Sequence, residues 1–147
     1  MFKKCIFLEV LQMMDKEEAM ELLAEEGHQQ TTQREYMIDM CLEGPGHFTV
    51  ADLCDIDREK KNKLSRATVY NNVHVLEDIG FLRELPDLGS PVYYEVRKSP
   101  HPHANCESCG EIMDIPVDLE SRVENWDIPL EINNVSMTLS GLCVSCA

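Results

Sequence analysis

The sequence has no apolar run that approaches the roughly 20 residues a membrane span needs. The apolar start Met1–Leu8 is interrupted by Glu9, and no small-residue cleavage site follows, which argues against a secretory signal. Apart from two Cys-x-x-Cys pairs there is no internal repeat, and there is no low-complexity tract. We therefore expect a cytoplasmic protein with no membrane partner.

Positive charge is scarce, since 13 Lys and Arg stand against 27 Asp and Glu, a formal net charge of −14. Such a balance argues against nucleic acid as a partner, because DNA is itself a dense polyanion. The segment 60–76, however, has no acidic residue and contains Lys60, Lys61, Lys63 and Arg66. A local patch of this kind can contact phosphates, so we expect DNA binding that is weaker and more conditional, not absent.

No nucleophile–base pair and no open-site zinc signature is present, so the sequence does not favour an enzyme. With 147 residues, of which 44% are hydrophobic, the chain can form one ordinary domain or two small ones. Two small domains would each be marginally stable, and a metal ion or a partner subunit commonly supplies the missing stability.

Apolar spacing and capping residues predict four helices in the first part of the chain. They are 15–26, a second helix capped by Thr31 or Thr32 and ending near Leu42, a third opened by Thr49, and a fourth capped by Ser65 that runs from Arg66 to about Ile79. Two short β-like runs follow, Phe81–Leu85 and Val92–Val96, joined by a loop rich in Pro and Gly. Helices followed by a two-stranded wing are typical of the winged helix, whose last helix reads a DNA groove.

The remainder of the chain has a different character. We interpret residues 98–104 as a hinge punctuated by prolines, followed by a strand at Ile112–Ile115, a short helix at Leu119–Trp126 and a strand at Glu131–Leu139. The predicted fold class is α+β. Its predicted domains are 1–97, a winged helix-turn-helix, and 105–147, a small α/β unit.

Two Cys-x-x-Cys pairs, Cys106 with Cys109 and Cys143 with Cys146, are the strongest signal in the sequence. In a reducing compartment such pairs point to metal. Four thiolates complete a tetrahedral zinc site and leave no position open, so the predicted role of this Zn²⁺ is structural. A rubredoxin-type iron site and two local disulfides are the alternatives.

A second group combines imidazoles with carboxylates. His101 and His103 are two residues apart, so both rings point to one side of an extended segment. Asp114, Glu95 and His47 are candidate companions, and such ligands suit Fe²⁺, Mn²⁺ or Zn²⁺. If these groups converge, the metal joins the two predicted domains. The plainer alternatives are a solvated pair of histidines, a solvated Glu95 and a locally bonded His47.

The fourth predicted helix carries side chains suited to DNA. Arg66 and Asn71 can read base edges, while Ser65, Thr68 and Tyr70 can hold phosphates. A polar, solvated helix face is the alternative interpretation.

With these motifs in view, the sequence resembles the ferric uptake regulator (Fur) family from about Thr31 to Cys146. The similarity is carried by segments 46–53, 65–72, 101–110 and 141–146. The resemblance implies a homodimeric winged-helix repressor, with 105–147 as the dimerisation domain, that binds a double-stranded DNA operator when a regulatory metal is present. It also implies that His47, His101, His103 and Asp114 are regulatory-metal ligands, that Glu95 best fits the fifth, and that the four cysteines hold structural zinc.

Two details resemble the peroxide-sensing, PerR-like branch, namely Asp114 and the helix sequence 68–72. In that branch, Fe²⁺ with an open coordination position reacts with peroxide and a ligand histidine is oxidised, which releases metal and DNA. His47 and His101 would be the targets. Glu95 departs from this pattern, because the branch tends to have Asp there. An iron, manganese or zinc uptake regulator therefore stays an alternative, as does a zinc-stabilised interaction module without DNA binding.

Overall fold

A computed structural model describes residues 13–147, so the apolar start and the beginning of the predicted domain 1–97 lie outside the described residues. The described chain forms two compact units, Met14–Arg97 and Lys98–Ala147, and Met13 groups with the second. Within residues 13–147, no helix has both the length and the apolar character needed to cross a bilayer. The roles predicted for 1–97, 98–104 and 105–147 stay predictions.

The first unit contains four α-helices. They are α1 Lys16–Glu25, α2 Thr32–Glu43, α3 Val50–Lys60 and α4 Arg66–Asp78. Each begins after a side chain that accepts a hydrogen bond from the first turn: Asp15, Thr31, Thr49 and Ser65. Gly27 and Gly80, both with a φ near +80°, follow α1 and α4 in a conformation that glycine adopts at no steric cost. The predicted helices are confirmed to within one or two residues.

Two antiparallel strands, β1 Leu82–Leu85 and β2 Tyr93–Val96, form the predicted wing, and a 3₁₀ turn, Pro86–Leu88, lies in the loop between them. Phe48, just before α3, pairs with Tyr94 of β2 through two backbone hydrogen bonds of 3.0 and 2.8 Å. This bridge ties the start of α3 to the wing.

The apolar core of the first unit is formed by one face of each helix and the inner face of the wing. Its fully buried members include Leu23, Met37, Ile38, Met40, Phe48, Leu53, Val69, Leu76 and Phe81. On α4 the buried positions recur at helical spacing, which leaves the opposite face of that helix toward solvent.

The second unit is built on a three-stranded sheet. Its strands are β3 His103–Cys106, β4 Ile112–Asp114 and β5 Thr138–Gly141, with a short helix, α5 Leu119–Val123, between β4 and β5. The central strand β3 pairs antiparallel with β4 and parallel with β5. The α+β class is thus confirmed, with helices and wing in one unit and a small sheet in the other.

Three elements of the second unit differ from the sequence prediction. The strand predicted at Glu131–Leu139 is wrong for most of its length, because β5 begins only at Thr138. Pairing with β3 defines the strand, and the register places Cys106 opposite Gly141, close to the second cysteine pair. The predicted helix Leu119–Trp126 ends earlier, at Val123. Strand β3 begins inside the segment 98–104 that the sequence predicts to be a hinge.

Candidate metal centres and nucleic-acid interface

Sheet pairing brings the two cysteine pairs together at one end of the second unit. Cys106 ends β3, and the neighbouring strand β5 leads directly into the second pair. The four sulfur atoms, of Cys106, Cys109, Cys143 and Cys146, all lie within 4.8 Å of one another. All four are free thiols, which contradicts the alternative of two local disulfides.

The spacing of the sulfur atoms fits a tetrahedral ion. Sγ of Cys109 lies 3.8 Å from Sγ of Cys143. Thiolates at the usual zinc–sulfur distance of about 2.3 Å stand about 3.8 Å apart at the corners of a tetrahedron. The donor set therefore fits the predicted Zn²⁺.

The surroundings of these thiols lower the pKa of Cys106, which favours its thiolate, and raise the pKa of Cys109, which opposes its thiolate. The backbone amide of Cys109, with those of Cys143 and Ser108, lowers the pKa of the Cys106 thiol to about 6. At Cys109 the backbone amide of Glu111 lowers the pKa, but the neighbouring sulfur atoms outweigh it and raise the pKa to about 12. Adjacent thiolates repel one another unless a cation lies among them, which is the arrangement that a metal site requires.

In the first unit, backbone pairing places His47 beside Glu95. Because Phe48 bridges to Tyr94, the preceding histidine stands opposite the following glutamate. Nε2 of His47 lies 3.6 Å from Oε2 of Glu95, and the glutamate side chain is fully buried. On the other side, the wing register pairs Glu95 with Arg83, whose guanidinium donates to Oε1.

In the second unit, two imidazoles face the carboxylate of Asp114. The register of β3 and β4 pairs His103 with Asp114, and His101 lies two residues earlier with its ring centroid 4.5 Å from that of His103. Nε2 of His101 is 3.0 Å from Oδ1 of Asp114, and Nε2 of His103 is 3.4 Å from the same atom. The other oxygen, Oδ2, accepts a hydrogen bond of 2.6 Å from Nζ of Lys98.

The protonation of His101 follows from its second ring nitrogen. Nδ1 lies 2.8 Å from the carbonyl oxygen of Ser99, and a carbonyl only accepts, so Nδ1 carries a proton and donates it. In a neutral ring Nε2 then directs a lone pair at the carboxylate of Asp114. A metal ion between these two atoms would bind both, whereas in a protonated ring Nε2 donates a hydrogen bond to Oδ1. A histidine oriented by a carbonyl behind it is the usual arrangement of a metal ligand, and nitrogen with oxygen donors suits Fe²⁺ or Mn²⁺.

Within each unit the predicted regulatory ligands lie together, His47 with Glu95 in the first unit and His101 with His103 and Asp114 in the second. The solvated alternatives are wrong for three of them, since His101 is 2% exposed, His103 is 6% exposed and Glu95 is completely buried.

Sequence reasoning missed the two cations that hold the carboxylates, Arg83 and Lys98. The register of the two wing strands determines which residue stands opposite Glu95. The sequence prediction begins the second strand at Val92, whereas it begins at Tyr93, and this difference of one residue was enough to leave the pairing of Arg83 with Glu95 undetermined. No local signal connects Lys98 with Asp114, which lies 16 residues further along the chain.

The predicted nucleic-acid residues lie on α4 and on the turn before it. Arg66, Tyr70 and Asn71 are exposed on the face of α4 that points away from the core. Lys61 and Lys63 are exposed in the turn between α3 and α4, both with left-handed backbone conformations, φ 59° and 57°. These five side chains form one exposed polar and basic set.

The other three predicted residues have partners within the chain. Ser65 Oγ accepts a hydrogen bond from the amide of Thr68 and lies 2.8 Å from its hydroxyl, so both hydroxyls contribute to the helix cap. Lys60 forms an ion pair of 2.9 Å with Glu43.

A buried carboxylate that the sequence analysis did not identify supports this turn. Asp57 accepts hydrogen bonds from the hydroxyl of Tyr36 at 3.1 Å and from the amide of Leu64 at 2.8 Å. Burial and the hydrogen bond to Asp57 raise the pKa of Tyr36. Asp57 thus joins α2, α3 and the residue before the α4 cap.

Comparison with known proteins agrees with these features. Residues 25–139 match the model of the ferric uptake regulator family. Over 133 residues the chain is 29% identical to the peroxide operon regulator of Bacillus subtilis strain 168. The aligned segment covers 88% of this chain and 92% of that protein.

Solved structures show the same fold. The ferric uptake regulator Fur of Helicobacter pylori, described as having three functional metal binding sites, aligns with a TM-score of 0.70 at 23% identity over 91% of this chain and 95% of its own. PerR of Streptococcus pyogenes, described in terms of peroxide sensing and gene regulation, aligns with a TM-score of 0.51 at 26% identity over 93% of this chain and 97% of its own. Since the family match spans most of the sequence and the fold agrees, this chain belongs to the ferric uptake regulator family.

Proposed function

We propose that this protein is a metal-dependent transcriptional repressor that responds to peroxide and binds a double-stranded DNA operator as a homodimer in the cytoplasm. The observation that carries the proposal is the cluster at Asp114, where two buried imidazoles face one carboxylate oxygen. Similarity to the peroxide operon regulator and to PerR supports peroxide as the signal. The role is that of a regulator and not of an enzyme.

Two metals have separate roles in this proposal. Structural Zn²⁺ is held by Cys106, Cys109, Cys143 and Cys146, whose sulfur spacing supports it. Regulatory Fe²⁺ or Mn²⁺ is held by His47, Glu95, His101, His103 and Asp114, as the family resemblance implies. The hydrogen bond from Nδ1 of His101 to the Ser99 carbonyl supports this role, because it leaves the lone pair of Nε2 to bind the metal.

Operator recognition is assigned to the exposed face of α4. Arg66 and Asn71 are proposed to read base edges, and Lys61, Lys63 and Tyr70 to hold phosphates. Lys60, Ser65 and Thr68 stay in the proposed interface as peripheral members, since each also has a partner within the chain. The net charge of −14 implies that binding needs the regulatory metal and weakens with salt.

Exposed apolar side chains in the second unit support the homodimer. Trp126, Leu130, Leu139, Leu142 and Val144 are more than half exposed. Several large apolar side chains left exposed on one small unit are typical of an interaction site, and we propose that a second copy of this chain covers them.

Mass spectrometry of the zinc-containing, Fe²⁺-loaded protein before and after a brief dose of hydrogen peroxide tests the peroxide response. In the net reaction one oxygen atom of the peroxide is added to an imidazole and the peroxide is reduced to water. Bound Fe²⁺ supplies the local reactivity. We expect one added oxygen on the peptide holding His47 or on the one holding His101. His28 and His74 are internal controls in the same digest and stay unmodified.

The other outcomes of this experiment separate the alternatives. Unmodified histidines with iron still bound would indicate an uptake-type regulator that answers to metal level, and Glu95 would then be the first residue to change to Asp. Unchanged peroxide sensitivity in Asp114→Glu would count against the role given to that carboxylate.

Selection from a random double-stranded DNA library tests the repressor role directly. We expect Mn²⁺-loaded protein to enrich particular sequences, and the protein without regulatory metal to enrich none. Arg66→Ala removes the selection, whereas Arg58→Ala, at an exposed position paired with Asp55 on α3, keeps it. A failure of the loaded wild type to select any sequence would favour the zinc-stabilised interaction module.

A further inference from the structure

The two oxygens of the Asp114 carboxylate have different neighbours. Oδ1 faces Nε2 of His101 and of His103, at 3.0 and 3.4 Å. Oδ2 is bound by the ammonium group of Lys98 at 2.6 Å. The side chains of Lys98 and Asp114 are only 11% and 6% exposed, so water screens this pair weakly.

We infer that Lys98 is a positioning residue that competes with the regulatory metal for Asp114 and restricts this carboxylate to ligation through Oδ1. The inference rests on the proposed function, because it concerns the affinity and geometry of the same metal. It adds a residue that is not itself a ligand and that acts mainly through Asp114.

Two physical effects lead to this inference. A carboxylate with one oxygen bound to an ammonium group has a reduced charge to offer a divalent ion, and that ammonium group repels the ion. A short, charge-assisted hydrogen bond also keeps Oδ2 turned away from the imidazoles, so the carboxylate cannot readily offer both oxygens. Both effects lower the metal affinity, and the second reduces the number of ligand atoms that Asp114 supplies.

The first unit contains the same arrangement independently. Glu95 presents Oε2 to Nε2 of His47 while its Oε1 accepts from the guanidinium of Arg83. Each carboxylate thus directs one oxygen to an imidazole and the other to a fixed cation. Arg83 is more exposed than Lys98, 30% against 11% of the side chain, so solvent screens its charge more strongly. Lys98 is therefore the position at which the competition is strongest.

Titration of the zinc-containing, full-length protein with Mn²⁺, followed by electron paramagnetic resonance of the free ion, tests the inference. We expect Lys98→Met to bind Mn²⁺ about tenfold more tightly than the wild type, because the competing ammonium group and its repulsion of the ion are gone. Lys98→Arg keeps the charge and stays within about threefold of the wild type. Lys98→Gln keeps an N–H donor without the charge and lies between Lys98→Met and the wild type.

Lys16→Met is the matched control for net charge. Like Lys98→Met, it removes a lysine that forms ion pairs with carboxylates. The partners of Lys16 are Glu35 and Asp39, which lie on α2 in the first unit. We expect its Mn²⁺ affinity to equal that of the wild type. Zinc content and thermal unfolding show whether each variant is folded. If Lys98→Met does not fold, the Mn²⁺ affinity of Lys98→Gln tests the inference instead.

A second arm tests whether Lys98 acts through Asp114. In an Asp114→Asn background the added Lys98→Met change should give a much smaller gain in affinity than in the wild type, because the carboxylate for which the cation competes is absent and only the direct repulsion between the ammonium group and the ion is relieved. Equal or weaker Mn²⁺ binding by folded Lys98→Met in the wild-type background would overturn the inference. A wild type whose Mn²⁺ binding is unaffected by His101→Ala would contradict the proposed function itself, and the two failures are thereby distinguished.

Discussion

The two units of the chain bury very different interiors. Unit Met14–Arg97 has an apolar core to which all four of its helices and its wing contribute. In residues 98–147, all of which the structure describes, the buried apolar side chains are Pro102, Cys106, Leu119 and Val123, and His101 and His103 are buried as well. Chemically similar side chains, Trp126 and Leu142 among them, remain exposed there.

This difference indicates two sources of stability. The first unit removes enough apolar surface from water to be held by packing. A unit of some 50 residues with so small a core is marginal on its own and needs a metal or a partner. In the proposed function, the cysteine cluster of the second unit holds the metal and its exposed apolar side chains meet the partner.

Removal of zinc should have the largest effect and should act on one unit only. Apparent zinc-binding free energies of about 10–16 kcal/mol in small zinc domains are also folding free energies. We expect a strong chelator to disorder residues 98–147 while the helices of the first unit persist. Trp126, the single tryptophan, reports the second unit through its fluorescence anisotropy, and all four tyrosines lie in the first.

Far-ultraviolet circular dichroism supplies the control, because the four long helices belong to the first unit and only α5 to the second. Loss of most of the helical signal on chelation would show that the first unit also depends on zinc and would break the comparison.

Truncation of a core leucine should come next in size. Leu53→Ala, at a fully buried position on α3, should lower the free energy of unfolding by about 2–5 kcal/mol because it leaves a cavity. Leu142→Ala, at a side chain that is 58% exposed in the second unit, should change the unfolding of the isolated protomer by less than about 0.5 kcal/mol. Urea unfolding at low protein concentration measures both, and equal effects would contradict the division.

A charge on the exposed apolar surface should weaken self-association. Leu142→Asp would place a carboxylate within the proposed dimer contact, and we expect a dissociation constant at least about tenfold higher. Sedimentation at several protein concentrations measures it. Arg122→Gln, on the short helix α5, makes the same change of net charge on a polar side chain. An unchanged monomer–dimer equilibrium for Leu142→Asp would exclude this surface as the dimer contact.

The smallest effect compares the cations of the two carboxylates. Arg83→Met should raise the Mn²⁺ affinity by about threefold, less than Lys98→Met, because solvent screens the more exposed guanidinium. The same titration measures both variants. A larger gain from Arg83→Met than from Lys98→Met would reverse the ranking and identify Glu95 as the more strongly contested carboxylate.

Local signals were enough to predict the helices of the first unit. Asp15, Thr31, Thr49 and Ser65 cap the helices as the sequence indicates, because a cap depends on atoms within three residues of itself. The cysteine spacing likewise indicated a metal site, since each pair is a local motif and two pairs supply four ligands.

Contacts between distant segments were harder to predict. The position of β5 depends on which residues find a partner on β3, and apolar alternation over Glu131–Leu139 does not contain that information. Asp57 could not be identified as the support of the α4 cap, because its partner Tyr36 lies 21 residues earlier in the chain.

The sequence by itself determined the element order of the first unit, the four candidate zinc ligands and the candidate histidines and carboxylates, because periodicity, capping and motif spacing are short-range properties. Only the tertiary structure decided how those carboxylates are held. The bridge from Phe48 to Tyr94, the wing register and the pairing of β3 with β4 bring Glu95 to Arg83 and His47, and Asp114 to His103. The register of paired strands depends on the whole sheet, so no single segment of sequence specifies which cation meets which carboxylate.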